Sequence, residues 1–230
     1  YLDPAVDRVP GRIPQGTKMS TICEQGYPLW YILGYKTDGF KSDGSINYVD
    51  ANGDGGFDDN DRVCLGSAIP SFTYGFTINM NWKNFDFTVF GTGVSGNKIS
   101  QQSFRSDRPF CNTYSYYWEN SWKEGNEANA KFPAAKFWTQ EAFSSDLNVF
   151  SGAYFKIKQI QLGYTVPKKY TMKAQMSQVR LFASLENYFT FTNYFGLDPE
   201  TATTGGNAAA FDMGTYPTSK QFIMGINVSF

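Results

Sequence analysis

The sequence contains no histidine. That absence removes Ser-His-Asp and Cys-His activation of a nucleophile, and every metal centre ligated by imidazole. Cysteine is nearly as scarce. Cys23, Cys64 and Cys111 have no CxxC spacing, so neither a zinc site nor a thioredoxin-like motif is indicated. The odd count leaves at least one thiol free, and one disulfide remains an open alternative. Charged residues make up 18% of the chain, below the usual quarter, and Lys+Arg 20 against Asp+Glu 21 leaves no basic excess for nucleic acid. No apolar run approaches the ~20 residues of a membrane helix. A membrane β-barrel is not excluded by this, because its strands need only ~9–11 alternating residues. The opening stretch "YLDPAVDRVPGRIPQG" is polar and proline-rich, and reads as neither a signal peptide nor a lipidation site.

What the chain has in abundance is aromatic residues, at 18%, and strict two-residue alternation. In "FTYGFTINMNW", residues 72 to 82, Phe72, Tyr74, Phe76, Ile78, Met80 and Trp82 share one face, and Thr73, Gly75, Thr77, Asn79 and Asn81 the other. After Lys83-Asn84, Phe85, Phe87 and Val89 alternate again. Val179, Leu181, Ala183 and Leu185 do so against Arg180, Phe182, Ser184 and Glu186, and Phe222, Met224, Ile226, Val228 and Phe230 against Ile223, Gly225, Asn227 and Ser229. In "AYFKIKQIQLGYTVP" the phase changes: Phe155 and Ile157 agree, but Ile160, Leu162, Tyr164 and Val166 have the opposite parity. One extra residue near Lys158-Gln159 restores a continuous apolar face, so a β-bulge is predicted there.

The gaps between these strands alternate in length: very short at 83 to 84, long from 95 to 151, short from 168 to 176, long from 192 to 218. Short turns at one end and long loops at the other are the pattern of outer-membrane barrels, with the long loops outside. The fold class is therefore all-β, with residues 72–230 as barrel strands and loops, and residues 1–71 as an extracellular loop region. The face led by Phe72, Phe85 and Phe222 is expected to meet lipid, and Thr77, Asn79 and Asn227 to face the lumen. A soluble extracellular β-sandwich that binds calcium and carbohydrate is the alternative, since its strands alternate in the same way.

Three motifs bear on function. Gly91, Gly93 and Gly96 spell GxGxxG, but no helical pattern follows to hold a pyrophosphate, so glycines at the end of a twisted strand are the reading adopted. Glu124, Glu127 and Glu141 share a long loop and raise a glycosidase carboxylate pair, the third reading, although loop carboxylates are more often plain surface. The stretch "YVDANGDGGFDDNDR" fits a twelve-position calcium loop. Asp50, Asn52 and Asp54 take positions 1, 3 and 5, Gly55 the turn, the Gly56 carbonyl position 7, Phe57 the apolar anchor, Asp58 position 9 and Asp61 position 12. Flanking helices are missing, so a static Ca²⁺-stapled loop is expected, with a turn held by its own hydrogen bonds as the alternative. In "NTYSYYWENSW", Tyr116, Trp118 and Trp122 are candidates for stacking on substrate, with loop packing as the alternative.

Taken together, "VDANGDG", "LGSAIPSFTYGF", "WKNFDFTVFGTG", "YFKIKQIQLGYTVPKK", "VRLFASLENYFTFTNYFGLDPE" and "GTYPTSKQFIMGINVSF" resemble the C-terminal part of a SusC/RagA-type TonB-dependent outer-membrane transporter. The resemblance covers most of residues 20 to 230. It implies a barrel of about 22 strands with a plug, a SusD-like surface lipoprotein as partner, energy from TonB, residence in the outer membrane in contact with its lipid, and import of glycans or peptides without enzymatic chemistry. The plug and the TonB-binding segment lie upstream of this sequence in that family. Five strands cannot close such a barrel, so the chain is expected to be a fragment of a longer protein.

Overall fold

The computed structural model describes residues 7–103, 112–203 and 206–230; Cys111 lies outside them. Its main element is a five-stranded antiparallel sheet in the order β14-β12-β11-β8-β7. In the full series of strands, β1 is Arg8–Pro10, β2 Ser20–Glu24, β3 Tyr31–Tyr35, β4 Thr37–Phe40, β5 Ile46–Tyr48, β6 Arg62–Ser67 and β7 Phe72–Trp82. The series continues with β8 Phe85–Ser95, β9 Lys98–Gln101, β10 Val149–Ser151, β11 Tyr154–Thr165, β12 Gln178–Thr192, β13 Phe211–Asp212 and β14 Gln221–Ser229. No helix among the described residues is long and apolar enough to cross a membrane.

Alternation along each strand becomes rows across the sheet. Ile78 pairs with Val89, Val89 with Ile160, Ile160 with Leu185 and Leu185 with Phe222. One residue further along lies the row Asn79, Thr88, Gln161, Ser184 and Ile223, on the opposite face. The sheet thus has one apolar and one mainly polar face, and the apolar face is uncovered: Met80 is 53% exposed, Leu162 50% and Met224 71%.

The predicted bulge is present. Pairing of β11 with both neighbours shifts between Ile157 and Gln159, so Lys158 is the inserted residue and Ile157 and Ile160 share the apolar face. On β12 the partner steps from Phe189 to Glu186, across Asn187, whose φ is +56°. Asparagine tolerates that left-handed backbone better than most residues.

At one end the strands are joined by the Lys83-Asn84 turn, with Lys83 at φ +55°, and by a connection from 166 to 177 containing the short helix Lys168–Thr171. At the other end the long connections fold with residues 7–71 into one packed body. There β1-β2-β3-β6 form a sheet, β4-β5 a hairpin and β10-β9-β13 a small sheet. Its core joins Met19, Ile32 and Ala68 to Ala210 and Phe211. Polar contacts also tie these segments together. The Tyr35 amide donates to the Ser144 carbonyl at 2.9 Å, and the Thr37 hydroxyl to Asp146 Oδ1 at 2.7 Å. Residues 7–71 and the described parts of the long loops therefore share a core.

Candidate functional site

The apolar face carries a band of aliphatic residues between two sets of rings. At the long-loop end, Tyr74 and Phe76 stack on Phe155, and Phe155 on Phe191, with centroids 5.7–6.1 Å apart. At the short-turn end, Trp82 stacks on Phe85 and Phe85 packs on Tyr164. β7 has eleven residues, roughly 35 Å along the strand, or about 27 Å across a bilayer at a tilt near 40°. That matches the ≈ 25 Å apolar band of an outer-membrane barrel with its aromatic girdles.

The glycines of the GxGxxG stretch have a structural role in this face. Gly91 and Gly93 lie in β8 under the Phe76 and Tyr74 rings, so a β-carbon at either would occupy the ring's place. Strand β9 follows, and no helix starts there.

The opposite face holds two ionic groups. Arg180 on β12 spans Gly163 to reach Asp86 on β8, with Nε to Oδ1 at 3.0 Å and Nη2 to Oδ2 at 2.5 Å. Gly163 lies directly beneath the pair, where any side chain would collide with both groups. Nearer the long loops, Lys156 is 1% exposed. Its ammonium donates to Asp198 Oδ2 at 2.9 Å, Glu200 Oε2 at 2.7 Å and Thr218 Oγ1 at 2.9 Å, and Lys158 also pairs with Glu200. The Thr218 amide and hydroxyl donate to Asp198 Oδ2. Both ends of the β12–β14 loop thus converge on one lysine of the five-stranded sheet. Burial pushes the Asp198 carboxyl up, but the hydrogen bonds from Thr218 and Lys156 outweigh it and hold the group below its ordinary value.

The loop at 50–61 is a series of side-chain-closed turns. Asp50 accepts from the Gly53 and Gly55 amides at 2.7 and 2.8 Å, Asn52 from Asp54 at 3.0 Å and Asp54 from Gly56 at 2.9 Å. Asp58 accepts from Asn60 at 2.7 Å and caps the short turn Asp59–Asp61. Asp61 is enclosed by the loop and accepts from Ala51, Asn52 and Asp58. The Asp58 amide, foremost among these, holds its carboxyl below the usual value. These turns are Asx turns, stable through local hydrogen bonds. Among the described residues, no group of three acidic, cysteine or histidine side chains is gathered to hold a metal. The oxygen-only donor set nevertheless matches a hard cation in kind. Phe57 sits 4.3 Å from Tyr48 and 4.9 Å from Tyr35, and the Tyr35 hydroxyl donates to Asp59 at 2.7 Å.

Of the loop aromatics, Tyr116 stacks on Phe195 at 4.4 Å and Trp122 packs against Gly44. Tyr117, 2% exposed, sits among Phe132, Trp138 and Phe195 and donates to Asn148 at 2.6 Å. Trp118 is 61% exposed, with the Lys123 ammonium 4.2 Å above its ring. Glu124 is exposed, Glu127 accepts from the Gly125 amide, and Glu141 pairs with Lys18.

No family model matches the chain. Among characterised proteins it is similar to TonB-dependent receptor P3 of Formosa agariphila, at 26% identity over 247 residues, covering 98% of this chain and 24% of that protein. It is also similar to TonB-dependent receptor SusC of Bacteroides thetaiotaomicron, at 26% over 184 residues, covering 80% of this chain and 17% of that protein. The chain therefore spans about a quarter or less of the length of these relatives. Among solved structures it superposes along its whole length on 25% of a chain of the RagAB peptide importer, with a TM-score of 0.75 in the open-open state and 0.73 in the closed-closed state, at 22% identity. That likeness is one of fold. The five-stranded sheet has the fold of part of that importer chain. Its relatives in sequence are TonB-dependent receptors, SusC among them, and its likeness in fold is to the RagAB importer, in line with the resemblance its motifs carry; none of these is an enzyme.

Proposed function

We propose that the whole protein imports glycans or peptides across the outer membrane, energised by TonB and working with a SusD-like surface lipoprotein. The observation that carries this reading is the five-strand apolar face between two aromatic girdles, backed by homology to TonB-dependent receptors. A soluble sandwich would have to cover that face, whereas among the described residues Met80, Leu162 and Met224 on it stay exposed.

The long-loop body faces outward in this reading. There Trp118 offers substrate an exposed ring, while Tyr116 and Trp122 pack the loop. The 50–61 loop takes a divalent cation as a static staple through Asp50, Asn52, Asp54, the Gly56 carbonyl, Asp58 and Asp61. Its four carboxylates in close sequence favour a counter-charge.

The test is uptake by cells carrying the whole gene, with and without TonB, alongside purification from outer membranes. Import that depends on TonB, and copurification of a lipoprotein, are expected. Release of the protein from membranes without detergent would overturn the reading.

A further inference from the structure

Beside the 50–61 loop, on the outward body, lies an open cleft of about 380 Å³. This is at the small end of the ≈ 300–1,000 Å³ range of small-molecule sites, suited to one or two rings. Tyr48, Phe57 and Phe137 supply aromatic walls, and Lys41, Asn47 and Thr139 polar groups. Tyr48 and Phe57 are stacked on one another, with centroids 4.3 Å apart and planes 15° apart, so each can offer a ligand only its outer face or its edge. Phe137 has Lys136 4.7 Å from its ring centroid on one side, and lines the cleft with the rest of its ring. The Asn47 amide makes only a long contact, 3.4 Å, to the Asp38 carbonyl. The Thr139 hydroxyl accepts from the Ala142 amide at 3.4 Å.

We propose that this cleft is a capture subsite for a neutral sugar ring of a glycan. A pyranose presents an apolar C–H face and an edge of hydroxyls that both donate and accept. It therefore requires flat rings beside uncharged amide and hydroxyl groups, which is what Tyr48, Phe57, Phe137, Asn47 and Thr139 provide. A short peptide with both termini free would need a charged partner of each sign, and among the described lining residues the one charge is Lys41, with no carboxylate to receive an amino terminus. The subsite rests on the import reading, which supplies the glycan. It also links the cleft to the cation-type loop, because Phe57 belongs to that loop and is held in place by Tyr35 and Tyr48.

The experiment uses the full-length protein in detergent and saturation-transfer NMR, with maltose, cellobiose and mannobiose as sugar probes and trialanine as the peptide probe. Wild type is compared with Phe137→Ala and Asn47→Ala, two changes at the cleft rim, after heat-modifiability shows both barrels folded. At least one disaccharide should show transfer, falling about fivefold in each variant, with none to trialanine. No transfer to any disaccharide, transfer in both variants equal to that in wild type, or a trialanine signal lost in the variants would each overturn the subsite. TonB-dependent uptake measured separately keeps the outcomes apart: intact uptake with a silent cleft removes the subsite and leaves the import reading standing.

Discussion

Lys156, on a strand of the barrel wall, is bonded through its ammonium to both carboxylate oxygens of Asp198, at 2.9 and 3.1 Å, 42 residues along the chain. Asp198 in turn takes the amide and hydroxyl of Thr218, so one lysine fixes both ends of a loop that would otherwise cost considerable chain entropy to order. Replacing Lys156 with Met leaves a buried carboxylate without its cation, and breaking such a pair costs ~3–5 kcal/mol. Limited proteolysis should then cut between residues 193 and 220 faster than in wild type, with the barrel still inserted. Unchanged cleavage would show that the loop is held by its apolar contacts instead.

The same cluster has a pH dependence whose sign follows from its carboxylates. Asp198 and Glu200 are both held below their ordinary values, in each case because hydrogen bonds, with Lys156 among the donors, outweigh burial. A depressed carboxylate contributes stability that is full above its unfolded value, near 4, and lost as pH falls through the folded one. Loop protection should therefore be flat from pH 7 to about 5 and decline below about 4. A decline centred at pH 6 or above would contradict this assignment.

Ile78 and Asn79 are neighbours in sequence on opposite faces of β7. Arginine at Ile78 should destabilise the inserted barrel by ~2–4 kcal/mol, whereas at Asn79 it should be tolerated. Urea titration of the protein in lipid vesicles reads the difference, and equal costs would refute the facing of the sheet.

Gly163 is required by what crosses it. Gly163→Val should displace the Arg180–Asp86 pair and lower barrel stability by about 1–3 kcal/mol. The double change Asp86→Asn with Arg180→Gln at wild-type Gly163 should cost less than the valine. A valine variant as stable as wild type would show that the strands relax around the pair.

For the 50–61 loop, chelator should speed protease nicking between residues 48 and 62 if a cation staples it, and Asp54→Ala should do the same without affecting barrel assembly. Identical nicking with and without chelator would leave the Asx turns as the whole of the loop's support.

The wall was legible because its chemistry is local. Period-two alternation named β7, β8, β12 and β14, and the parity change between Ile157 and Ile160 placed the bulge near Lys158-Gln159, where the register shifts. The outward body was not. β3, "YILGY", is buried along its whole length and carries no alternation, so nothing in its own sequence says which strands flank it. Lys156 carried no signal of its own in the sequence, because its partners Asp198 and Thr218 are set by a long loop's return path. Asp86 and Arg180, 94 residues apart, were hidden in the same way. Phe57 was readable as the anchor of its loop, but the cleft it walls depends on Phe137 and Thr139, brought from a different connection.

The central claim is that one face of this sheet meets lipid and the other water. Nitroxides placed singly at Ile78, Met80, Leu162 and Met224, and at Asn79, Gln161 and Asn227, in the full-length protein in bilayers, test it directly. The first four should be accessible to oxygen and shielded from a water-soluble nickel chelate, and the other three the reverse. Nickel accessibility at Met80 and Met224 equal to that at Asn79 and Asn227 would contradict the account.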